Sequence, residues 1–247
     1  MPKVLITRPR KQAQAFADVL AAAGFTPVFF PVIQIRPMDD LSSLKEAIKD
    51  IDKYEWVIFS STNAVDVFFD ALEENPQLPK VAAVGSKTEA SLRSRGVAVN
   101  FVPNKYVGEA ILSGLGDLKD KWVLLPRAEV AREILPKEIL AAGGIVHEIA
   151  IYQTLPEKVD KTGLDTLRSG VDVVTFTCPS TVQNFVHLLK NADLDPFHLA
   201  GDPVFACIGP VTKEAAEKEG FSVAVMPKKH TVEGLVESLK NHDATYE

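Results

Sequence analysis

Two hydrophobic rhythms alternate along this chain. Short, nearly unbroken apolar runs such as Val4-Leu5-Ile6, Trp56-Val57-Ile58-Phe59, Val81-Ala82-Ala83-Val84 and Val173-Val174-Thr175-Phe176 predict strands buried on both faces. Each gives way to a stretch with apolar positions at helical spacing, as in Ala64-Val65 with Phe68-Phe69, or Val182 with Phe185-Val186 and Leu189. Strand followed by helix, over and over, predicts parallel sheets with helices on both faces, the α/β class.

The pattern repeats itself in three pieces. "VLITRPRKQAQAFADVLAAAGFTPVFFPVIQ", residues 4–34, lies without a gap over "VLLPRAEVAREILPKEILAAGGIVHEIAIYQ", residues 123–153. Arg8 then faces Arg127, Leu20 faces the equally aliphatic Ile139, and Gly24 faces Gly143, each glycine marking a helix stop. The second pair sets "WVIFSSTNAVDVFFDAL", residues 56–72, against "VVTFTCPSTVQNFVHLL", residues 173–189. The third begins at Ala83 and at Cys207, and in it Gly85, Thr88, Gly96 and Pro103 recur as Gly209, Thr212, Gly220 and Pro227. Two similar units are predicted, and the repeat taken alone cuts the chain near Lys119.

Gly85-Ser86-Lys87-Thr88 resembles the tail of a phosphate-binding loop, but Lys80 stands where that loop needs its first glycine. The repeat also replaces Lys87 by Val211, the residue such a loop would lose last. Val81 to Val84 therefore predict a strand end, and Ser86 with Glu89 a capping box.

Composition narrows the function classes. With 46% hydrophobic residues in 247, the chain can bury one large core or two of ordinary size. A net charge of −6 speaks against nucleic-acid or membrane-surface partners, so an anion site has to be locally basic. Cys178 and Cys207 lack metal or redox spacing and predict packing thiols in a reducing cytoplasm. The five histidines show no ligand spacing, so no metal is expected. The N-terminus runs directly into strand pattern, and no span of 18 apolar residues occurs, which predicts a cytoplasmic protein.

Open parallel sheets bind ligands at the carboxyl ends of their strands, where helix N-termini offer unpaired N–H groups. The residues at those turns are Arg8, Ser60, Ser61, Thr62, Asn63, Gly85, Ser86, Arg127, Thr177, Cys178, Pro179, Ser180, Thr181, Gly209 and Pro210. Taken singly, the hydroxyls are helix caps and the prolines routine helix starts. Together they make two rims rich in donors for carboxylates or phosphates.

"LITRP", "FSSTNAV", "VGSKTEASL", "REILPKEIL", "IAIYQT" and "CIGPVTKEAA", in that order, resemble the uroporphyrinogen-III synthase family, and the likeness runs from Val4 to about Leu239. The resemblance implies two flavodoxin-like, Rossmann-like domains with parallel sheets, joined by a two-stranded antiparallel linker. It puts 1–33 with 155–247, makes 38–147 the inserted domain, and assigns 31–37 and 148–156 to the linker, where both segments alternate like strands. It implies no cofactor and a small-molecule substrate, the linear tetrapyrrole polycarboxylate hydroxymethylbilane, closed with inversion of ring D and loss of water. The chain is then expected to be a monomer.

By the same resemblance Tyr152, in "IAIYQT", is the proton donor, a phenol that stays protonated near neutral pH. The repeat singles it out independently, because its counterpart is Ile33. Arg8, Arg127 and Arg132 are the charged candidates for substrate carboxylates, and Thr88 and Thr212 fall on threonines that match the family. Cys178 stands where the family often has serine, and a thiol is the poorer donor. Two other readings remain open at this point. One is a non-enzymatic two-domain sensor of an anionic metabolite; the other, a glycosyltransferase-like enzyme, lacks its glycine-rich turn and acidic ribose partner.

Overall fold

The structure, a computed structural model, describes residues 1–72, 76–103, 108–158 and 161–243. In chain order the elements are β1 (Lys3–Ile6), α1 (Arg10–Ala22), β2 (Thr26–Phe29), β3 (Ile33–Pro37), α2 (Ser42–Lys49), β4 (Tyr54–Phe59), α3 (Thr62–Asp70), β5 (Lys80–Ala83) and α4 (Ser86–Ser94). Then follow β6 (Trp122–Ala128), α5 (Ile134–Ala141), β7 (Ile145–Pro156), α6 (Lys161–Ser169), β8 (Val173–Phe176), α7 (Pro179–Asn191), β9 (Val204–Cys207), α8 (Pro210–Glu219), β10 (Val223–Val225) and α9 (Val232–Asp243). This is the α/β class with parallel sheets that the two rhythms predict.

The chain does not divide near Lys119. It clusters into one unit of Met1–Gln34 with Leu155–Glu247 and a second of Ile35–Thr154. The reason lies in how the repeat pieces pair. Unit 1 has the strand order β10-β9-β8-β1-β2, so the first copy of the first piece shares a sheet with second copies of the other two. Unit 2 has the order β3-β7-β6-β4-β5, and there the second copy of the first piece joins first copies of the rest. Phe101 bridges Ala82 beside β5 in the place that β10 takes beside β9.

Strand alternation sends side chains to two cores in each unit. In unit 1, Val4 and Ile6 pack with Phe16 and Leu20 of α1 and Leu235 of α9. Leu5, Val174 and Phe176 pack on the other face with Phe185 and Leu189 of α7. In unit 2, Val57, Phe59 and Leu124 meet Leu44, Phe68 and Leu92, while Trp56, Ile58 and Val123 meet Ile139 and Leu115. A phenylalanine such as Phe68 or Phe185, wholly buried, contributes roughly 2–3 kcal/mol of transfer free energy.

Three local expectations change. The helix after β5 begins at Ser86 with Gly85 at the N-cap, so Ser86 is one position too late to cap and no Ser86–Glu89 box forms. Glu89 turns instead to Arg93, one helical turn on. In the repeat's second copy the helix α5 starts only at Ile134, whereas α1 starts directly after Pro9. Finally, the segment that follows β2 as a separate strand β3 continues without interruption in β7. Pro31, which lacks an N–H, stands where Ala150 stands in β7, and a proline ends a ladder that alanine extends. The far half of β7 runs antiparallel to β3: Glu157 N–H donates to Val32 O and Met38 N–H to Ile151 O.

Glycine stops behave alike in both units. Gly24 and Gly143 follow their helices with φ of 90° and 83°, the left-handed region that only glycine enters without strain.

Candidate active site

The carboxyl end of the unit 2 sheet is built first by β4, which ends at Phe59 and leads through Ser60 to Ser61, the N-cap of α3. Ser61 has extended backbone, and its Oγ accepts a hydrogen bond from Ala64 N–H at 3.1 Å, one of the helix donors left without an intrahelical partner. Thr62 and Asn63 fill the first turn behind it.

Two strands away, β7 carries Tyr152. Its register with β6 slips by one residue: Arg127 pairs with Ala150 but Ala128 pairs with Tyr152, leaving Ile151 as the extra residue of a bulge. Before the bulge, buried Ile149 and Ile151 alternate with exposed Glu148 and Ala150; after it Tyr152 is buried too, against the expected phase. The bulge thus turns Tyr152 to the same core as Ile151. The phenol crosses the end of β6, where the residue in register is the small Ala128, and its Oη lies 3.0 Å from Ser61 Oγ. Tyr152 is only 6% exposed, so a ring set in the core holds its one polar atom at the strand ends.

Gly85 and Ser86 lie at the end of β5, and Thr88 is buried in the first turn of α4. Arg127 in β6 is also buried, and its guanidinium is already engaged. It donates to the Glu148 carboxylate and to Arg132 O at 2.6 Å. Arg132 itself is exposed in the stretch before α5, so its backbone, not its charge, meets Arg127.

Unit 1 presents the counterpart rim. Cys178 caps α7, with Pro179 at N1 and Ser180 and Thr181 following. Thr181 Oγ1 donates to Cys178 O at 2.6 Å, and Cys178 Sγ lies 3.1 Å from Ser180 Oγ. Gly209 and Pro210 begin α8, with Thr212 buried one turn in. A Cβ on Gly209 would stand 3.3 Å from the His230 ring. Cys207 is wholly buried, and burial pushes its thiol up to about 12, which keeps it inert.

Arg8 differs from Arg127. One Nη donates to Gln12 Oε1 at 3.0 Å, while its buried Nε finds no hydrogen-bond partner among the described residues. Burial lowers the pKa of Arg8 from its ordinary value, and the acidic groups of Cys178 and Glu233 oppose that shift. A desolvated guanidinium with an unused donor is suited to an incoming anion.

Sequence reasoning missed Glu148, the residue that makes the two arginines different. The repeat could have exposed it, because Glu148 lies opposite Phe29 while Arg127 lies opposite Arg8. Among the described residues, no cluster of three His, Cys, Asp or Glu side chains could hold a metal ion, and no helix is long and apolar enough to cross a membrane.

Comparison with known proteins agrees with these observations. The family model described as "Uroporphyrinogen-III synthase HemD" matches residues 14–237. The uroporphyrinogen-III synthase of Chlorobaculum parvum is 30% identical over 241 residues, covering 92% of this chain and 94% of that one. The Synechococcus elongatus enzyme of the same name is 28% identical over 247 residues, covering 96% and 94%. The crystal structure of uroporphyrinogen-III synthetase from Helicobacter pylori shares the fold, with a TM-score of 0.69 at 18% identity and full coverage of both chains. A mutant Thermus thermophilus uroporphyrinogen III synthase gives 0.66 at 17%, over 99% of this chain and 100% of that one. The chain belongs to the uroporphyrinogen-III synthase family.

Proposed function

We propose that this chain closes linear hydroxymethylbilane to uroporphyrinogen III and that Tyr152 gives the proton to the departing hydroxyl. The reaction class is that of the family, a cyclising lyase of tetrapyrrole biosynthesis. The terminal CH2–OH of the substrate leaves as water when its oxygen is protonated and the pyrrole nitrogen pushes electrons toward the carbon. An azafulvenium cation results. Attack by the substituted alpha carbon of ring D forms the spiro-pyrrolenine, whose rearrangement inverts that ring. The proton released when the last pyrrole regains aromaticity returns to the phenolate, so the net loss is one water.

The observation that carries the assignment is the buried Tyr152 phenol at the strand ends, 3.0 Å from Ser61. A phenol is a proton donor, and one positioned acid contributes about 10²–10⁴-fold. Closure without inversion is open to the same cation, so holding the polyacid matters at least as much as the acid. For that we propose Arg8, together with the backbone N–H of Ser61 and the donors of Thr62, Asn63, Gly85, Ser86, Thr88, Ser180, Gly209 and Thr212; Thr181, expected among them, already gives both its N–H and its O–H to Cys178 O. Cys178, Pro179 and Pro210 shape those turns, and Arg127 and Arg132 are the weaker candidates because Arg127 is paired with Glu148.

The sensor alternative requires no turnover. Incubation with freshly prepared hydroxymethylbilane, followed by separation of the uroporphyrinogen isomers, is expected to give type III as the main product. Only type I, at the spontaneous rate, would refute the proposal.

A further inference from the structure

We propose that Ser61 is a positioning residue for Tyr152: its hydroxyl donates to the phenol oxygen and so leaves the phenol's own proton for the substrate. The inference rests on the reading of Tyr152 as the acid.

A serine hydroxyl has one proton and two acceptor sites. One acceptor site of Ser61 Oγ is used by Ala64 N–H, in the N-cap bond of α3. The remaining contact, Ser61 Oγ to Tyr152 Oη at 3.0 Å, holds a single proton between two oxygens. Were Tyr152 the donor, its proton would be committed inside the protein, and Ser61 would accept twice while its own proton turned elsewhere. With Ser61 as donor, the serine proton has a partner and the phenol's own proton stays uncommitted. The Ala64 N–H polarises the serine hydroxyl and makes it a better donor, the usual cooperativity of linked hydrogen bonds. When the phenol gives up its proton, the Ser61 bond becomes charge-assisted and strengthens as charge develops. The positive end of α3 acts in the same direction.

The other unit supports the pairing. At the positions equivalent to Ser61 and Tyr152 it has Cys178 and Ile33. Ile33 lies in one core of unit 1 and Cys178 packs against that core, so donor and acceptor have been replaced together. A hydroxyl needed only to cap would have no reason to follow the phenol.

The test must separate capping from positioning. Ser61→Asp keeps an N-cap acceptor for Ala64 N–H but cannot donate to Tyr152, and its carboxylate would draw the phenol's proton to itself. Ser61→Ala loses both roles; Ser61→Thr keeps both. Initial rates of type III product formation over a range of hydroxymethylbilane concentrations are measured with thermal unfolding, alone and in a Tyr152→Phe background. We expect kcat to fall about tenfold or more in Ser61→Asp and Ser61→Ala with little change in KM. Only Ser61→Ala should also lose Tm, and Ser61→Thr should restore the rate. In the Tyr152→Phe background neither substitution should lower the rate further. Parental kcat in Ser61→Asp, or an equal loss with and without the phenol, would overturn the proposal for Ser61. Parental kcat in Tyr152→Phe alone would instead overturn the role of Tyr152, a separate result.

Discussion

The two units share a scaffold and differ in chemistry. Their helices stop at equivalent left-handed glycines, and an arginine stands at the carboxyl end of the equivalent strand in each. Unit 2 neutralises its arginine with Glu148 and carries the hydrogen-bonded pair Tyr152 and Ser61. Unit 1 has Phe29 opposite that glutamate, leaves Arg8 Nε without a partner among the described residues, and has Ile33 and Cys178 opposite the phenol and serine. What recurs is what the fold needs. What diverges is what the proposed function divides between them, acid chemistry in unit 2 and holding charge in unit 1.

The comparison can be broken most severely at the arginines. Arg8→Met should weaken binding of uroporphyrinogen III by about tenfold or more, the worth of one charge-assisted hydrogen bond, without loss of stability. Calorimetric titration and thermal unfolding read both quantities. Arg127→Met should do the reverse, costing about 1.5–3 kcal/mol of stability as the bonds to Glu148 and Arg132 O are lost, with binding little changed. If both variants behave alike, the proposed division of labour fails.

Strand continuity gives a smaller effect. Ala150→Pro would place in β7 the residue that separates β2 from β3 in unit 1. It should cost about 1–3 kcal/mol in a denaturant titration through a ladder bond lost beside the bulge, and should displace Tyr152. Pro31→Ala, the reverse exchange, should be tolerated within about 1 kcal/mol. The smallest effect is the symmetrical one: Gly24→Ala and Gly143→Ala should each cost about 1 kcal/mol and leave catalysis intact. A marked loss of activity in either would contradict a purely structural duty.

The alternation of buried strands and helices was legible in the sequence because each apolar run and each helical stripe is a local pattern. The three repeat pieces likewise showed which residues occupy equivalent turns. Long-range pairing stayed hidden. Arg127 and Glu148 meet because β6 and β7 are neighbours in register, which no local spacing of the two residues reports. The bulge at Ile151 was equally silent: it adds no glycine and no proline, and only the paired strand reveals that Tyr152 has left the expected phase. For Ser86 the error was one residue, since hydroxyl-before-helix reads as a cap until the backbone shows Gly85 there.

The central claim is that unit 2 supplies the acid and that Tyr152 is that acid. Its most direct test is the rate at which Tyr152→Phe forms uroporphyrinogen III from fresh hydroxymethylbilane, with affinity for the product measured alongside. The predicted result is turnover lower by about 10²-fold or more with product affinity nearly unchanged, since only the transferable proton is removed. Turnover equal to that of the parent chain would contradict it.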